Sequence, residues 1–179
     1  MATETTPTRV SKGHPMQAEM QLSRGLSMAS PIDREDRQPT VQTGVWIEEH
    51  DWLHRIFKSP ENRSPKFRFP DLLGACVSLA VDSSDGQQRL VEYLETRLTQ
   101  RDPKTERRSC DIWSAQFEQL MEAHRAAWNR FPNPMFEIDH ITTGCVAIAM
   151  SLPDGQASVL RQARLNLLAR AKARGVTTN

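Results

Sequence analysis

The sequence lacks any apolar run near the roughly 20 residues that a helix needs to cross a bilayer. Its first residues, MATETTPTRVSKGHP, also lack the charged and then apolar order of a secretory signal. With 38% hydrophobic and 25% charged residues, the chain is suited to a modest core with a polar surface. These features predict a cytoplasmic protein that makes no contact with a membrane.

The cysteine content argues against two classes of small domain. Cys76, Cys110 and Cys145 are an odd number of cysteines and form no CxxC pair, so neither a disulfide framework nor a zinc ribbon is predicted. The histidines are scattered, and the sequence has no HExxH, Walker, GxGxxG or GxSxG motif. We therefore expect a non-enzymatic protein without metal or cofactor, in which the cysteines are small buried hydrophobic residues.

The C-terminal part of the chain lacks acidic residues. From Gly155 to Asn179 there is no aspartate or glutamate, although the net charge of the whole chain is only +1. The basic residues of this part are Arg161, Arg164, Arg170, Lys172 and Arg174. Such a segment favours an anionic partner or surface, and it is also typical of the solvated basic end of a helix.

Composition divides the rest of the chain into segments. Residues 1–42 are rich in Thr, Ser, Pro, Gln and charged residues without an apolar period, which predicts a disordered tail. Residues 43–60 combine Trp46 with helical apolar spacing, and we expect this segment to dock on the core. Residues 102–133 are predicted to connect two structural units.

The connecting segment has helical periodicity over residues 111–130. Ser109 or Asp111 is suited to cap the first turn of this helix, and prolines follow its last turn. An aromatic stripe at spacings of three and four residues is typical of a core, or of an interface for self-association or a protein partner. The main residues of this stripe are Trp113, Phe117 and Trp128.

The middle and C-terminal parts of the chain repeat each other at one constant offset without gaps. This offset aligns Cys76-Val77 with Cys145-Val146, and Asp85-Gly86-Gln87 with Asp154-Gly155-Gln156. Self-similarity at a fixed offset indicates duplicated structure. Two units are therefore predicted, over residues 65–101 and 134–173.

Each unit has the pattern of a strand followed by two helices. Apolar and polar residues alternate over 66–69 and 135–138, which predicts a short strand at the start of each unit. Asp85 and Asp154 are placed to cap the second helices. Helical spacing predicts first helices over 71–81 and 140–150 and second helices over 87–98 and 156–171.

A strand, a helix, a glycine-containing turn and a helix within each unit resemble the ribbon-helix-helix superfamily of DNA-binding regulators. The resemblance implies that the strands of two units pair antiparallel into a ribbon that enters the major groove. Two units in one chain are similar to the tandem arrangement of the conjugative transfer protein TraY. The expected fold is mainly α with one two-stranded antiparallel β-ribbon, formed by two units as a pseudo-twofold domain.

The resemblance also implies residues that contact double-stranded DNA. The polar face of the predicted ribbon carries the candidate base-reading residues Lys66, Arg68, Met135 and Glu137, of which Arg68 is suited to a bidentate contact with guanine. The second-helix N-termini would offer backbone amides to phosphates at Gly86, Gln87, Gly155 and Gln156. Glu137 places negative charge on one strand, so the DNA site is expected to be asymmetric.

These observations favour a bacterial or mobile-element protein that binds DNA sequence-specifically without catalysis. Its role would be transcription regulation or a relaxosome-type accessory function in conjugation. The alternative is a helical adaptor or antitoxin-like protein that binds a protein partner through the aromatic stripe or the Trp46 segment and does not bind DNA.

Overall fold

The computed structural model describes residues 39–130 and 135–173. The predicted disordered tail lies outside the described residues except for positions 39–42, and residues 40–42 belong to a strand. The main elements in chain order are β1 (Thr40–Trp46), α1 (Ile47–Lys58), α2 (Phe69–Val81), α3 (Ser84–Thr96), β2 (Arg107–Trp113), α4 (Ser114–Arg125), α5 (Ile138–Ser151) and α6 (Gly155–Ala173). The described residues are therefore mainly helical with a single two-stranded sheet, which confirms the coarse fold class.

The two strands form an antiparallel ribbon. Thr40 lies opposite Trp113, Trp46 lies opposite Arg107, and at the centre Thr43 lies opposite Cys110. Buried residues alternate with exposed residues along the middle of each strand, because one face packs on the helices.

The ribbon does not lie where the sequence pattern predicted it. The predicted strands at 66–69 and 135–138 are wrong, because these residues form the irregular turns that lead into α2 and α5 and the first residue of each helix. Asn62 and Asn129 use their side-chain amides to bind the backbone N–H and C=O of Phe67 and Phe136. Those backbone groups are therefore not available to pair with another strand.

The order of one strand and three helices occurs twice in the chain. Each strand leads directly into a helix of 12 residues, α1 after β1 and α4 after β2. Residues 43–60 are therefore the end of a strand and a helix of the first half, and residues 102–133 contain the strand and first helix of the second half. Within the first of these segments, Trp46, Leu53 and Ile56 are buried in the core.

The helix predicted over 111–130 is shorter than expected. It begins at Ser114, because residues up to Trp113 pair with β1, and it ends at Arg125. Ser109 and Asp111 lie within β2, and the residue at the N-cap position makes no side-chain cap hydrogen bond. Neither of the two predicted residues therefore caps this helix.

The two most apolar helices, α2 and α5, lie at the centre of the core, and most of their residues are buried. Each packs on the strand of the other half, α5 on β1 and α2 on β2. The Thr43 hydroxyl is hydrogen-bonded to the Thr142 hydroxyl at 3.0 Å, and the Trp46 backbone N–H donates to the Thr143 hydroxyl at 3.1 Å. This crossing joins the two halves through a common core.

The third helix of each half begins after a tight turn. The side chain of Ser83, not of Asp85, accepts a hydrogen bond from the first turn of α3, at the Gly86 backbone N–H. Asp154 instead binds the side chains of Ser158 and Arg161. The predicted second helices are thus present, with earlier starts at Ser84 and Gly155.

Candidate nucleic-acid interface

The outer face of the ribbon is polar and exposed at its centre. Gln42 lies opposite Asp111, and Ser109 lies opposite Gly44. Gln42, Asp111 and Ser109 are all exposed. A Cβ atom at Gly44 would lie 3.0 Å from the Cβ of Asp139, so the N-terminus of α5 stands beside this part of the ribbon. The exposed face therefore offers hydrogen-bond donors and acceptors of different kinds on its two strands.

Trp113 ends the ribbon at one side, is almost completely buried and lies under two arginines. The guanidinium groups of Arg68 and Arg170 each lie 4.7 Å from the Trp113 ring centroid. The indole N–H donates to Asp71 at 2.9 Å, and Arg170 pairs with the same carboxylate. Arg68 is held by this stacking but keeps 55% of its side chain exposed.

Trp46 ends the ribbon at the opposite side. Arg101 lies 4.6 Å and Arg107 lies 5.8 Å from the Trp46 ring centroid. His140 takes the position that corresponds to Asp71 in the other half and contacts Trp46 edge to face. The Trp46 indole N–H has no hydrogen-bond partner within the described part of the chain. Burial lowers the pKa of His140, which favours the neutral ring next to Arg107.

Exposed arginines therefore lie at both ends of the ribbon. Arg68 lies near the Trp113 end, while Arg107 and Arg108 begin β2 at the Trp46 end with 43% and 51% of their side chains exposed. Arg107 pairs with Asp139 at 2.6 Å, and Arg108 pairs with Glu106 at 2.9 Å. These ion pairs partly neutralise the positive charge of Arg107 and Arg108. Arg68 has only a longer contact of 3.8 Å with Asp71, so it keeps more of its positive charge.

The four residues predicted to read bases lie in the turns before α2 and α5, not on a strand. Lys66, Arg68, Met135 and Glu137 are all exposed. Arg68 and Glu137 occupy the N-cap positions of α2 and α5, where their backbone N–H groups donate to Asp71 and His140. These four residues therefore do not form a face of the ribbon, although Arg68 lies at the end of the actual ribbon.

The four predicted phosphate-binding residues lie away from the ribbon. The Gly86 and Gln87 backbone amides donate to Ser83, and the Gly155 amide donates to Leu152. Gly155 adjoins Ala149 near the C-terminal end of α5, about 10 Å along the helix axis from the Thr142 contact with the ribbon. The Gln156 side chain binds Ser59 and Glu61. These groups are used within the chain.

The predicted aromatic stripe faces the interior. Trp113 is 3% exposed, and Phe117 and Trp128 are half-buried against the core. Trp46, the other predicted anchor for a protein partner, is 2% exposed. Trp46 and Trp113 therefore belong to the packed interior of the domain.

All three cysteines are buried free thiols. Burial raises the pKa of the Cys110 thiol to about 11 and that of Cys145 to about 12. The pKa of the Cys76 thiol is raised mainly by burial and to a smaller extent by the neighbouring Cys145. At neutral pH the thiols remain protonated and behave as small apolar groups.

Thiol labelling of the native protein at pH 8 is therefore expected to be very slow. An aromatic disulfide reagent followed by absorbance should release almost no thiolate before unfolding, and thiol from all three cysteines in urea. Rapid release from the native protein at any of the three sites would contradict the buried, protonated state.

No group of three or more metal-ligating side chains is arranged to hold an ion among residues 39–130 and 135–173. Over the same ranges, none of the helices combines the length and hydropathy required to cross a bilayer.

Comparisons with protein-family models, curated proteins and solved structures found no match to the chain.

The sequence carries a signal for the actual ribbon at a second offset. A slightly smaller offset than the one that matches the cysteines aligns Trp46 with Trp113 and Asn62 with Asn129. The two offsets differ because the chain between Asn129 and Phe136 is longer than the chain between Asn62 and Phe67. An ungapped comparison therefore finds the later helices and loses the strands.

Proposed function

We propose that the chain is a single-chain, pseudo-twofold domain of the ribbon-helix-helix type that binds double-stranded DNA through the ribbon of β1 and β2. Its role would be that of a transcriptional regulator or a relaxosome-type accessory factor. The proposal moves the DNA contact from residues 66–69 and 135–138 to residues 40–46 and 107–113.

The register of the ribbon is the observation that carries this proposal. Thr43 and Cys110 lie directly opposite each other, and they are also equivalent under the offset that aligns Trp46 with Trp113. In an antiparallel pair of equivalent strands, a residue that faces its own equivalent marks the twofold axis. A ribbon centred in this way between two halves, each of them a strand followed by helices, resembles the arrangement that the family uses to enter the major groove.

The exposed side chains of the ribbon have the chemistry for reading bases. A glutamine in the major groove pairs well with adenine, an aspartate accepts a hydrogen bond from cytosine, and a serine contacts several bases. Gln42, Asp111 and Ser109 supply these groups on the exposed face. Because Gln42 is on one strand and Ser109 and Asp111 are on the other, we expect a DNA site without a palindrome.

Arg68 has a different role in this proposal from the one that the sequence pattern suggested. It stands at the N-terminus of α2, beside the end of the ribbon, and its guanidinium is held on Trp113. An exposed cation at the edge of a groove-binding element is suited to a DNA phosphate, and Arg107 or Arg108 would serve at the other end. Lys66 lies shortly before Arg68 in the same turn and would add to this contact.

The proposal is tested by selecting binding sites for the full chain from random duplex DNA and measuring the affinity by fluorescence anisotropy. Gln42→Ala is expected to relax the preference at one base pair by about 1–3 kcal/mol, because a bidentate base contact is lost. Arg68→Ala is expected to weaken binding to every sequence and to lower the salt slope by about 1, because one phosphate contact is lost.

Arg125→Ala is the matched control for charge. Arg125 is exposed at the C-terminal end of α4, the end of that helix away from the ribbon, so its removal is expected to leave both the site and the salt slope unchanged. Failure to enrich any sequence, or ribbon variants that select the same site as the unaltered chain, would contradict the proposal.

A further inference from the structure

A cavity of about 560 Å³ lies between α1, α3 and α5. Its volume is within the range of small-molecule sites, roughly 300–1,000 Å³. Its walls are charged on the α1 and α3 sides and mainly apolar on the α5 side. The lining residues that matter here are Glu49, Glu92, Tyr93, Arg97, Arg101 and Ile148.

The floor of the cavity is a fixed polar cluster. Glu49 is 3% exposed and accepts hydrogen bonds from Arg101 and, at 3.3 Å, from the Tyr93 hydroxyl. Arg101 also donates to the Tyr93 oxygen at 3.1 Å. The second carboxylate oxygen of Glu49 has no hydrogen-bond partner within the described residues. A buried carboxylate oxygen is normally hydrogen-bonded to protein or to ordered water.

A side-chain hydrogen bond joins the corresponding helices of the other half. The offset that matches the cysteines also aligns Arg97 with Asn166 and Ser78 with Ala147. Asn166 donates to the Ser78 hydroxyl at 3.2 Å, which fastens α6 onto α2. In the first half, an alanine and an arginine replace this hydrogen-bonded pair, so no such bond holds α3 on α5. The two halves therefore differ at the wall of this cavity.

Two charged groups at the cavity have no partner. The guanidinium of Arg97 and the carboxylate of Glu92 form neither an ion pair nor a side-chain hydrogen bond among the described residues, whereas the nearby Arg89 pairs with Asp85 at 2.7 Å. Arg101 is neutralised by Glu49, which is the strongest of its ion pairs. Arg97 and Glu92 thus offer one free charge of each sign at a single cavity.

We propose that this cavity binds a free α-amino acid with an apolar side chain. Arg97 would hold the α-carboxylate, Glu92 would hold the ammonium group, and the apolar side chain would lie against Ile148 and Met150. A zwitterion fits two free charges of opposite sign better than a simple acid or amine, which would leave one of them unpaired. This binding is separate from the DNA contact proposed above and needs no DNA for its measurement.

The test is isothermal titration of the full chain with individual L-amino acids, supported by thermal unfolding in millimolar ligand. Leucine, isoleucine, methionine or phenylalanine is expected to bind and to raise the unfolding temperature, because a ligand of the native state stabilises it. Arg97→Ala is expected to weaken binding by at least about tenfold. Glu92→Gln is expected to make the amino acid and its deaminated acid bind with similar affinity.

The other half of the chain supplies a variant that closes the cavity. Arg97→Asn combined with Ala147→Ser copies the Asn166 and Ser78 pair and is expected to abolish binding without lowering the unfolding temperature. Arg125→Ala is expected to bind the ligand like the unaltered chain. The proposal is overturned if no L-amino acid binds, if alkylamines or carboxylic acids bind as tightly as the amino acid, or if Arg97→Ala retains full affinity.

Discussion

Replacing Asn129 by alanine is expected to lower the free energy of unfolding by about 3 kcal/mol or more. Asn129 is 1% exposed, and its amide makes three hydrogen bonds to backbone groups. It donates to the carbonyls of His124 and Phe136 and accepts from the N–H of Phe136. Alanine leaves all three groups without this partner, and each buried unsatisfied group costs about 1–3 kcal/mol. Urea unfolding followed by circular dichroism measures the change.

The two halves of the chain provide a replicate and a control for this prediction. Asn62 makes the same three bonds to Phe57 and Phe67 and is 2% exposed, so Asn62→Ala is expected to be about equally costly. Asn166 is half-buried and exchanges hydrogen bonds with side chains, which water can replace, so Asn166→Ala is expected to cost less than about 1 kcal/mol. Equal losses for all three variants would contradict the special role of the two buried amides.

Gly155→Ala is expected to destabilise the protein by about 2–3 kcal/mol. A Cβ atom at position 155 would lie 2.3 Å from the backbone oxygen of Ala149, and one at position 86 would lie 2.6 Å from that of Ala80. A carbonyl in the last turns of a helix moves only if the helix end moves. Gly86→Ala is therefore expected to have a similar cost, and thermal unfolding measures both.

Gly74→Ala provides a control with the opposite expected sign. Its Cβ atom would meet the Gln116 side chain at 3.3 Å, and this side chain is able to shift slightly. Alanine inside a helix is favoured over glycine by roughly 0.5–1 kcal/mol, so this variant is expected to be neutral or more stable. A loss at position 74 as large as that at position 155 would show that the close approach of backbone atoms is not the cause.

The helices were predictable from the sequence because the signals are local and strong. The apolar spacing of α2 and α5 marks two core helices, and both lie close to the predicted bounds. The repeated Asp-Gly-Gln triplet lies at the start of α3 and of α6, directly after the turn between two helices. Gly86 and Gly155 fit these positions because the end of the preceding helix comes close to their Cα atoms.

The position of the ribbon was not predictable by the same argument. The alternating residues around Phe67 and Phe136 indicate a strand only if their backbone groups are free to pair, and these groups are bound by the side chains of Asn62 and Asn129. The actual strands carry Thr, Gly and Cys at inward or central positions, which weakens the alternation that marks a strand. Tertiary pairing between segments far apart in the sequence determines them.

The candidate amino-acid cavity was also beyond a sequence argument. Arg97 and Glu92 look like ordinary charges on the exposed face of an amphipathic helix. Their significance depends on Ala147, which lies on another helix and fails to provide the hydrogen bond that Ser78 provides in the other half. The difference between Ala147 and Ser78 points to the cavity only when the two halves are compared in three dimensions.

Both strands of the ribbon belong to one polypeptide, so a substitution can change one strand without changing the other. In a dimer of identical chains, each substitution enters both strands together, and the assembly dissociates when the protein is dilute. Here each strand mutates alone, and the pairing of Thr43 with Cys110 is intramolecular. Gln42 and Ser109, which the offset between Trp46 and Trp113 aligns, carry different side chains, and the pairing of the two strands does not depend on the protein concentration.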